Sequence, residues 1–250
     1  MNPLTLAVSK VIVNENPNCT ATGFFYKYNN ITYFVTNKHV VQNADQNGDW
    51  FDSIKIFPNR TIGEARWLSG ESVLIGKEEL KRKCQFHVNQ TVDICVIPTD
   101  YRDVECINRM PQTDLVCELS DDVFIIGYPH GHNSESGKLS GSPKPIWKRG
   151  TIATEMSLEW DECKLGSFLI DATGQRGNSG SPVVSYIRAG SGVFKTQDGS
   201  MIMQSGGFTY RLLGIMSAGL HMRGISVQQS DLIVVWRESL IENIIINNRK

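Results

Sequence analysis

The stretch Gly174-Gln175-Arg176-Gly177-Asn178-Ser179-Gly180-Ser181-Pro182 constrains this chain more than any other. It lies between two apolar, β-rich runs, Phe168-Leu169-Ile170 and Val183-Val184-Ser185-Tyr186, so it reads as a turn between strands. A serine beside glycines on a tight turn presents its hydroxyl outward on a rigid base. Gly177, two residues earlier, lets the backbone bend so that its N–H and that of Ser179 converge on one point. Two converging N–H groups can stabilise the oxyanion of an acyl-transfer intermediate. An ordinary Gly/Ser loop has the same composition. The hydroxyl therefore needs a base, and the base an orienting carboxylate, elsewhere in the chain.

Two further stretches supply those groups. Tyr33-Phe34-Val35-Thr36-Asn37-Lys38-His39-Val40-Val41 sets a histidine at the end of an apolar run. Thr91-Val92-Asp93-Ile94-Cys95-Val96-Ile97-Pro98 sets an aspartate inside another. Asp45, Asp49 and Asp52, in the polar segment 42–52, are rival orienters for His39. Asp93 ranks above them, because an orienting carboxylate must be shielded from water to hold one imidazole tautomer. In the chain order His, Asp, Ser the three groups match one known constellation.

With these pieces in place the chain resembles the trypsin/chymotrypsin-like serine peptidases of the bacterial and viral kind. The resemblance is carried by Thr22-Gly23-Phe24-Phe25, Thr36-Asn37-Lys38-His39-Val40, Val92-Asp93-Ile94-Cys95-Val96, Ile126-Gly127-Tyr128-Pro129, Gly177-Asn178-Ser179-Gly180-Ser181-Pro182 and Leu213-Gly214-Ile215. Gly177 to Pro182 is similar to the staphylococcal glutamyl endopeptidase group, and the HtrA proteases are also similar. The resemblance implies an all-β, chymotrypsin-like fold: two packed six-stranded antiparallel β-barrels and a C-terminal α-helix. It implies one peptidase domain over 1–250, with a first barrel at 14–99, a second at 120–228 and the helix at 229–247.

The resemblance also implies roles. Ser179 is the expected nucleophile, His39 the general base and then acid, and Asp93 the orienter. The N–H groups of Gly177 and Ser179 are the expected oxyanion hole. Thr173, six residues before Ser179, is the expected base of the substrate pocket, with walls from Ser217-Ala218-Gly219 and Gly224-Ile225-Ser226. Relatives that prefer Glu or Gln carry a histidine where Met216 stands here. With no carboxylate at the base either, a neutral, medium-sized apolar side chain is expected before the scissile bond. The expected reaction is peptide-bond hydrolysis by a serine endopeptidase through an acyl-enzyme. Asn178 stands where animal enzymes carry the Asp that pairs with a released N-terminus, so control through loops or a regulatory protein partner is expected instead. Two other readings keep the same residues, a catalytically silent binding scaffold and an esterase. An α/β-hydrolase does not fit: its elbow reads Gly-X-Ser-X-Gly, and Ser181 replaces the last glycine.

Composition narrows the rest. At 250 residues the chain is long enough for two small barrels, and 40% hydrophobic with 20% charged residues is ordinary for a globular protein. A net charge of −1 provides no electrostatic reason to expect nucleic acid or an anionic membrane. No apolar run reaches the roughly 20 residues that span a bilayer. Segment 1–10 has no basic stretch ahead of an apolar one. Val40 follows His39 where animal enzymes place a disulfide cysteine. These features point to a cytoplasmic protein with free thiols, a polypeptide substrate, and no cofactor or metal. The His130-Gly131-His132 pair has no nearby Cys or carboxylate and does not read as a metal site.

Periodicity sets the remaining expectations. Segments 20–28 and 31–36 form a hairpin about Asn29-Asn30, and 4–13 reads as a strand or short helix. The charged segment 78–83 reads as a solvated turn, 86–98 as a strand carrying Asp93, and 189–207 as a polar insertion. Leu232, Val235, Trp236, Leu240, Ile241 and Ile244 fall at helical spacing after Ser230-Asp231.

Overall fold

The computed structural model describes residues 2–43, 48–62, 67–69, 71–109, 112–132, 143–156, 166–219 and 231–248. A short helix, α1 (Pro3–Ala7), is capped by the Asn2 side chain on Leu4 N at 2.9 Å and leads into the first strand. Seven strands then build the first sheet: β1 (Val8–Val13), β2 (Thr20–Tyr28), β3 (Ile31–Thr36), β4 (Ser53–Phe57), β5 (Val73–Gly76), β6 (Gln85–Phe86) and β7 (Cys95–Thr99). Their order is β6-β7-β3-β2-β1-β4-β5, with every pairing antiparallel. Asn29 and Asn30 turn β2 into β3 at φ 44° and 65°, the left-handed pair that a two-residue hairpin turn requires.

Six more strands close on themselves: β8 (Asp122–Gly127), β9 (Ile146–Ile152), β10 (Ser167–Asp171), β11 (Pro182–Arg188), β12 (Phe208–Gly219) and β13 (Leu232–Arg237). They run β8-β9-β10-β13-β12-β11 around a closed barrel. The fold is therefore the expected chymotrypsin-like one, a curled first sheet beside a closed second barrel with a small C-terminal helix.

Several strands are buried on both faces, which explains their nearly continuous apolar runs. Phe25 and Phe34 point into the first core with Val11, Ile54 and Ile97. Their neighbours Phe24, Tyr26 and Val35 point the other way, as a two-residue period demands. There they meet Leu4, Tyr128, Trp236 and Ile241 in one shared apolar cluster. A third cluster, with Val123, Phe168, Val183 and Ile233, fills the second barrel.

Two expectations change. Residues 232–237 form strand β13, and the helix, α3 (Ser239–Asn247), begins only after it. The run Leu-Ile-Val-Val fits a strand and a helix equally well by spacing, and the gap between β10 and β12 is filled by a strand. Ile241, Ile244 and Ile245 of α3 are fully buried, and truncating one to Ala should cost about 2–5 kcal/mol. Segment 78–83 is not a turn but part of helix α2 (Lys77–Lys83), with Glu78 and Glu79 in its first turn and Lys81, Arg82 and Lys83 in its last. That order favours the helix dipole, and Leu80, fully buried, anchors the helix to the first core. Within 189–207, Val193–Lys195 and Met201–Met203 pair as a two-stranded hairpin.

Candidate functional site

The turn before β11 is held almost entirely through its carbonyls. Thr22 N donates to Ser179 O at 2.8 Å, and Thr22 Oγ1 donates to Gly177 O at 2.7 Å. The same hydroxyl accepts from Tyr128 N at 3.1 Å, while Thr22 O accepts from Thr36 Oγ1 at 2.8 Å. Thr22 is fully buried and so ties β2, β3, β8 and the serine turn together. From the second barrel, Met216 O accepts from Gly180 N at 2.9 Å and Met216 N donates to Ser181 O at 2.8 Å. Gly177 and Gly180 sit at φ +93° and +85°, and a Cβ on Gly180 would lie 2.1 Å from Thr22 O. Neither position accepts a side chain.

His130 N donates to Arg176 O at 2.5 Å. In a trans peptide the C=O and N–H point in opposite directions, so the Gly177 N–H faces away from His130. Among the described residues neither Gly177 N nor Ser179 N has an acceptor. Gly177 is buried and Ser179 half-buried, so these are two idle donors of a kind that folded proteins seldom leave unused.

His39 lies in a short 3₁₀ turn, Lys38–Val40, that follows β3 directly. Asn37, fully buried, donates from Nδ2 to Asp93 O at 2.7 Å, and His39 N donates to Asp93 Oδ1 at 3.0 Å. His39 Nδ1 stands 2.7 Å from Asp93 Oδ2. An ionised carboxylate only accepts, so Nδ1 carries the proton and the neutral ring keeps a lone pair on Nε2. Ser217 Oγ donates to the same Oδ2 at 2.5 Å, in the range of charge-assisted O–H···O⁻ bonds. The two side chains retain 33% and 21% exposure, so the pair is sheltered yet open on one side. Burial pulls the His39 imidazole down, but the hydrogen bond and charge of Asp93 together outweigh it, and the net shift is upward.

The other carboxylates fall away. Asp52 is 82% exposed and pairs with Lys77 at 3.5 Å, Asp49 is exposed, and Asp45 lies outside the described residues. Asp93 itself precedes β7 rather than sitting in it, with Val92 and Ile94 buried on either side.

The expected pocket residues differ in their surroundings. Met216 is 2% exposed, and its side chain belongs to the barrel core. Ser217 spends its hydroxyl on Asp93, a link across 124 residues that no local pattern could signal. Ala218 and Gly219 end β12, Thr173 is exposed ahead of the serine turn, and Gly224, Ile225 and Ser226 lie outside the described residues. Lys148, on β9, donates from Nζ to Thr173 O at 2.5 Å, a link across 25 residues. His130 and His132 are exposed, with ring centroids 6.2 Å apart.

The family model of the trypsin-like peptidase domain matches residues 21–201. No curated protein matches the chain. Among solved structures, the HtrA-type protease AlgW with a tripeptide superposes with a TM-score of 0.52 at 16% identity, covering 97% of this chain and 60% of that one. The Rv3671c protease from M. tuberculosis in its active form superposes with a TM-score of 0.51 at 14% identity, covering 97% and 81%. At such identities the likeness is one of fold.

Proposed function

Because the chain belongs to the family of trypsin-like peptidase domains and is a serine protease, we propose that it hydrolyses peptide bonds through an acyl-enzyme formed on Ser179. One observation carries this reading: Ser217 bonds the carboxylate that holds His39, while its neighbour Met216 pins the turn that bears Ser179. One strand, β12, thus links all three groups across the two barrels.

In the proposed mechanism, Ser179 Oγ attacks the scissile carbonyl carbon as His39 Nε2 takes its proton. Asp93, keeping its negative charge, steadies the Nδ1–H and the imidazolium that forms. The negative oxygen of the tetrahedral intermediate receives the idle N–H donors of Gly177 and Ser179. Collapse breaks the C–N bond, and His39 returns the proton to the departing amine. Water, deprotonated by His39, then attacks the acyl carbon and releases the acid with Ser179 restored.

Two further parts of the proposal concern control. Asn178 is fully buried with neither side-chain polar atom partnered among the described residues, and being neutral it forms no ion pair with a released N-terminus. Activity therefore needs no N-terminal trimming and is controlled by loops or a protein partner. The five described cysteines are free thiols, which supports action in a reducing compartment, the cytoplasm.

Intact-mass labelling with a fluorophosphonate tests the assignment. A single adduct is expected on the wild type and none on Ser179→Ala. Equal labelling of the two proteins, or no adduct on the wild type, would overturn it.

A further inference from the structure

One cation beside the serine turn has no task in the mechanism. Along β9 the side chains alternate: Gly150 and Ile152 are buried, while Arg149 points out and pairs with Asp122 at 2.7 Å. Lys148 shares the inward phase with Gly150 and Ile152 but lies nearer the start of the strand. Thr151 pairs with Asp171 on β10, so Lys148 falls level with the chain that leaves β10 towards Ser179. There its ammonium donates to Thr173 O at 2.5 Å.

The same end of the barrel holds the other expected wall. A Cβ on Gly174 would lie 3.7 Å from Ile233 Cδ1, and Ile233 pairs with Gly219 at the end of β12. The ammonium, the Thr173-Gly174 backbone and the end of the Ser217–Gly219 segment therefore gather at one rim. Lys148 is half-buried, and burial lowers its pKa from the ordinary 10.5. No carboxylate among the described residues forms an ion pair with it. Its surface neighbour Arg149 has taken Asp122.

We propose that Lys148 is the specificity determinant of this cleft and selects substrates with glutamate or aspartate before the scissile bond. The proposal rests on the reading of Ser179 as nucleophile. An ammonium has three N–H donors, and Thr173 O occupies one. A substrate carboxylate supplies the missing counter-charge and accepts from a second donor. A neutral side chain leaves the half-buried charge unpartnered, and a cationic one sets like charges together. The neutral preference expected from sequence considered Thr173 and Met216 alone; Met216 faces the core, and Lys148 comes from 25 residues upstream of Thr173.

The test is a set of fluorogenic peptides that differ only at the residue before the scissile bond, carrying Glu, Asp, Gln, Leu or Arg. Each is assayed with wild type, Lys148→Met and Lys148→Glu after fluorophosphonate titration of active sites. Glu should exceed Gln by about 10- to 100-fold in kcat/KM on wild type. Lys148→Met should take the adduct, showing that it is folded, and lose that preference, and Lys148→Glu should turn it towards Arg. A wild type that takes no adduct refutes the Ser179 reading and this proposal with it. A wild type that takes the adduct yet cleaves the Glu peptide no better than the Gln or Leu peptide refutes the role of Lys148 alone. So does a Lys148→Met variant that keeps the preference.

Discussion

Replacing Thr22 with Val keeps the shape of the side chain and removes its hydroxyl. That hydroxyl donates to Gly177 O at 2.7 Å and accepts from Tyr128 N at 3.1 Å, in a residue with no exposure. Both backbone partners lie in buried residues, so neither gains water in exchange. Leaving a buried polar group unpaired costs about 1–3 kcal/mol, so two such groups cost about 2–6 kcal/mol. Against the roughly 5–15 kcal/mol of a typical domain this is a large loss. Thr22→Ser keeps both bonds and loses one methyl, about 1 kcal/mol. The variants are compared by urea denaturation followed through tryptophan fluorescence, and by the rate of fluorophosphonate labelling. Val should unfold at clearly lower urea and label about tenfold or more slowly, because the Gly177-Asn178 peptide is no longer held. If Val and Ser variants unfold together and label equally fast, Thr22 does not hold the turn.

Two pH dependences follow from buried groups. The Tyr26 hydroxyl stands 2.8 Å from Glu238 Oε1 and 2.9 Å from Glu242 Oε1, with one proton to share between them, and burial, with the charge of Glu242, raises the Glu238 carboxyl above its ordinary 4.5 despite the Tyr26 bond. A raised folded value means stability present in full below pH 4.5 and lost as pH climbs through the folded value. Glu238→Gln should flatten that decline in a series of denaturation midpoints; an unchanged slope would count against it. For His39, likewise raised, the neutral base appears only above the ordinary 6.5, so the acidic limb of the labelling rate should fall on the alkaline side of pH 6.5. A limb below that value would contradict the Asp93 contact as described.

The parts of the site that could be read from the sequence are those that sit in short local patterns. Ser179 is announced by its glycines, and His39 by the β-branched run it ends. Asp93 precedes the strand in which the sequence pattern sets it, because Val92 and Ile94 supply the apolar pattern while pairing begins only at Cys95. Thr22, Lys148 and Ser217 bond partners 155, 25 and 124 residues away, which no local pattern reveals. The run 232–237 illustrates the opposite failure. Its side chains satisfy either period, and barrel closure, a property of the whole chain, makes the choice.

The grip of Thr22 on the serine turn also bears on how this chain could be divided. A fragment beginning after Arg109 would keep every strand of the closed barrel, yet the carbonyls of Gly177 and Ser179 would lose the donors that shape their turn. The complementary fragment would keep His39 and Asp93 but lose Ser217 from the carboxylate. Each half is thus a template on which the other's chemistry is cast. Cut between the barrels, neither piece would keep all the bonds that position its own site residues.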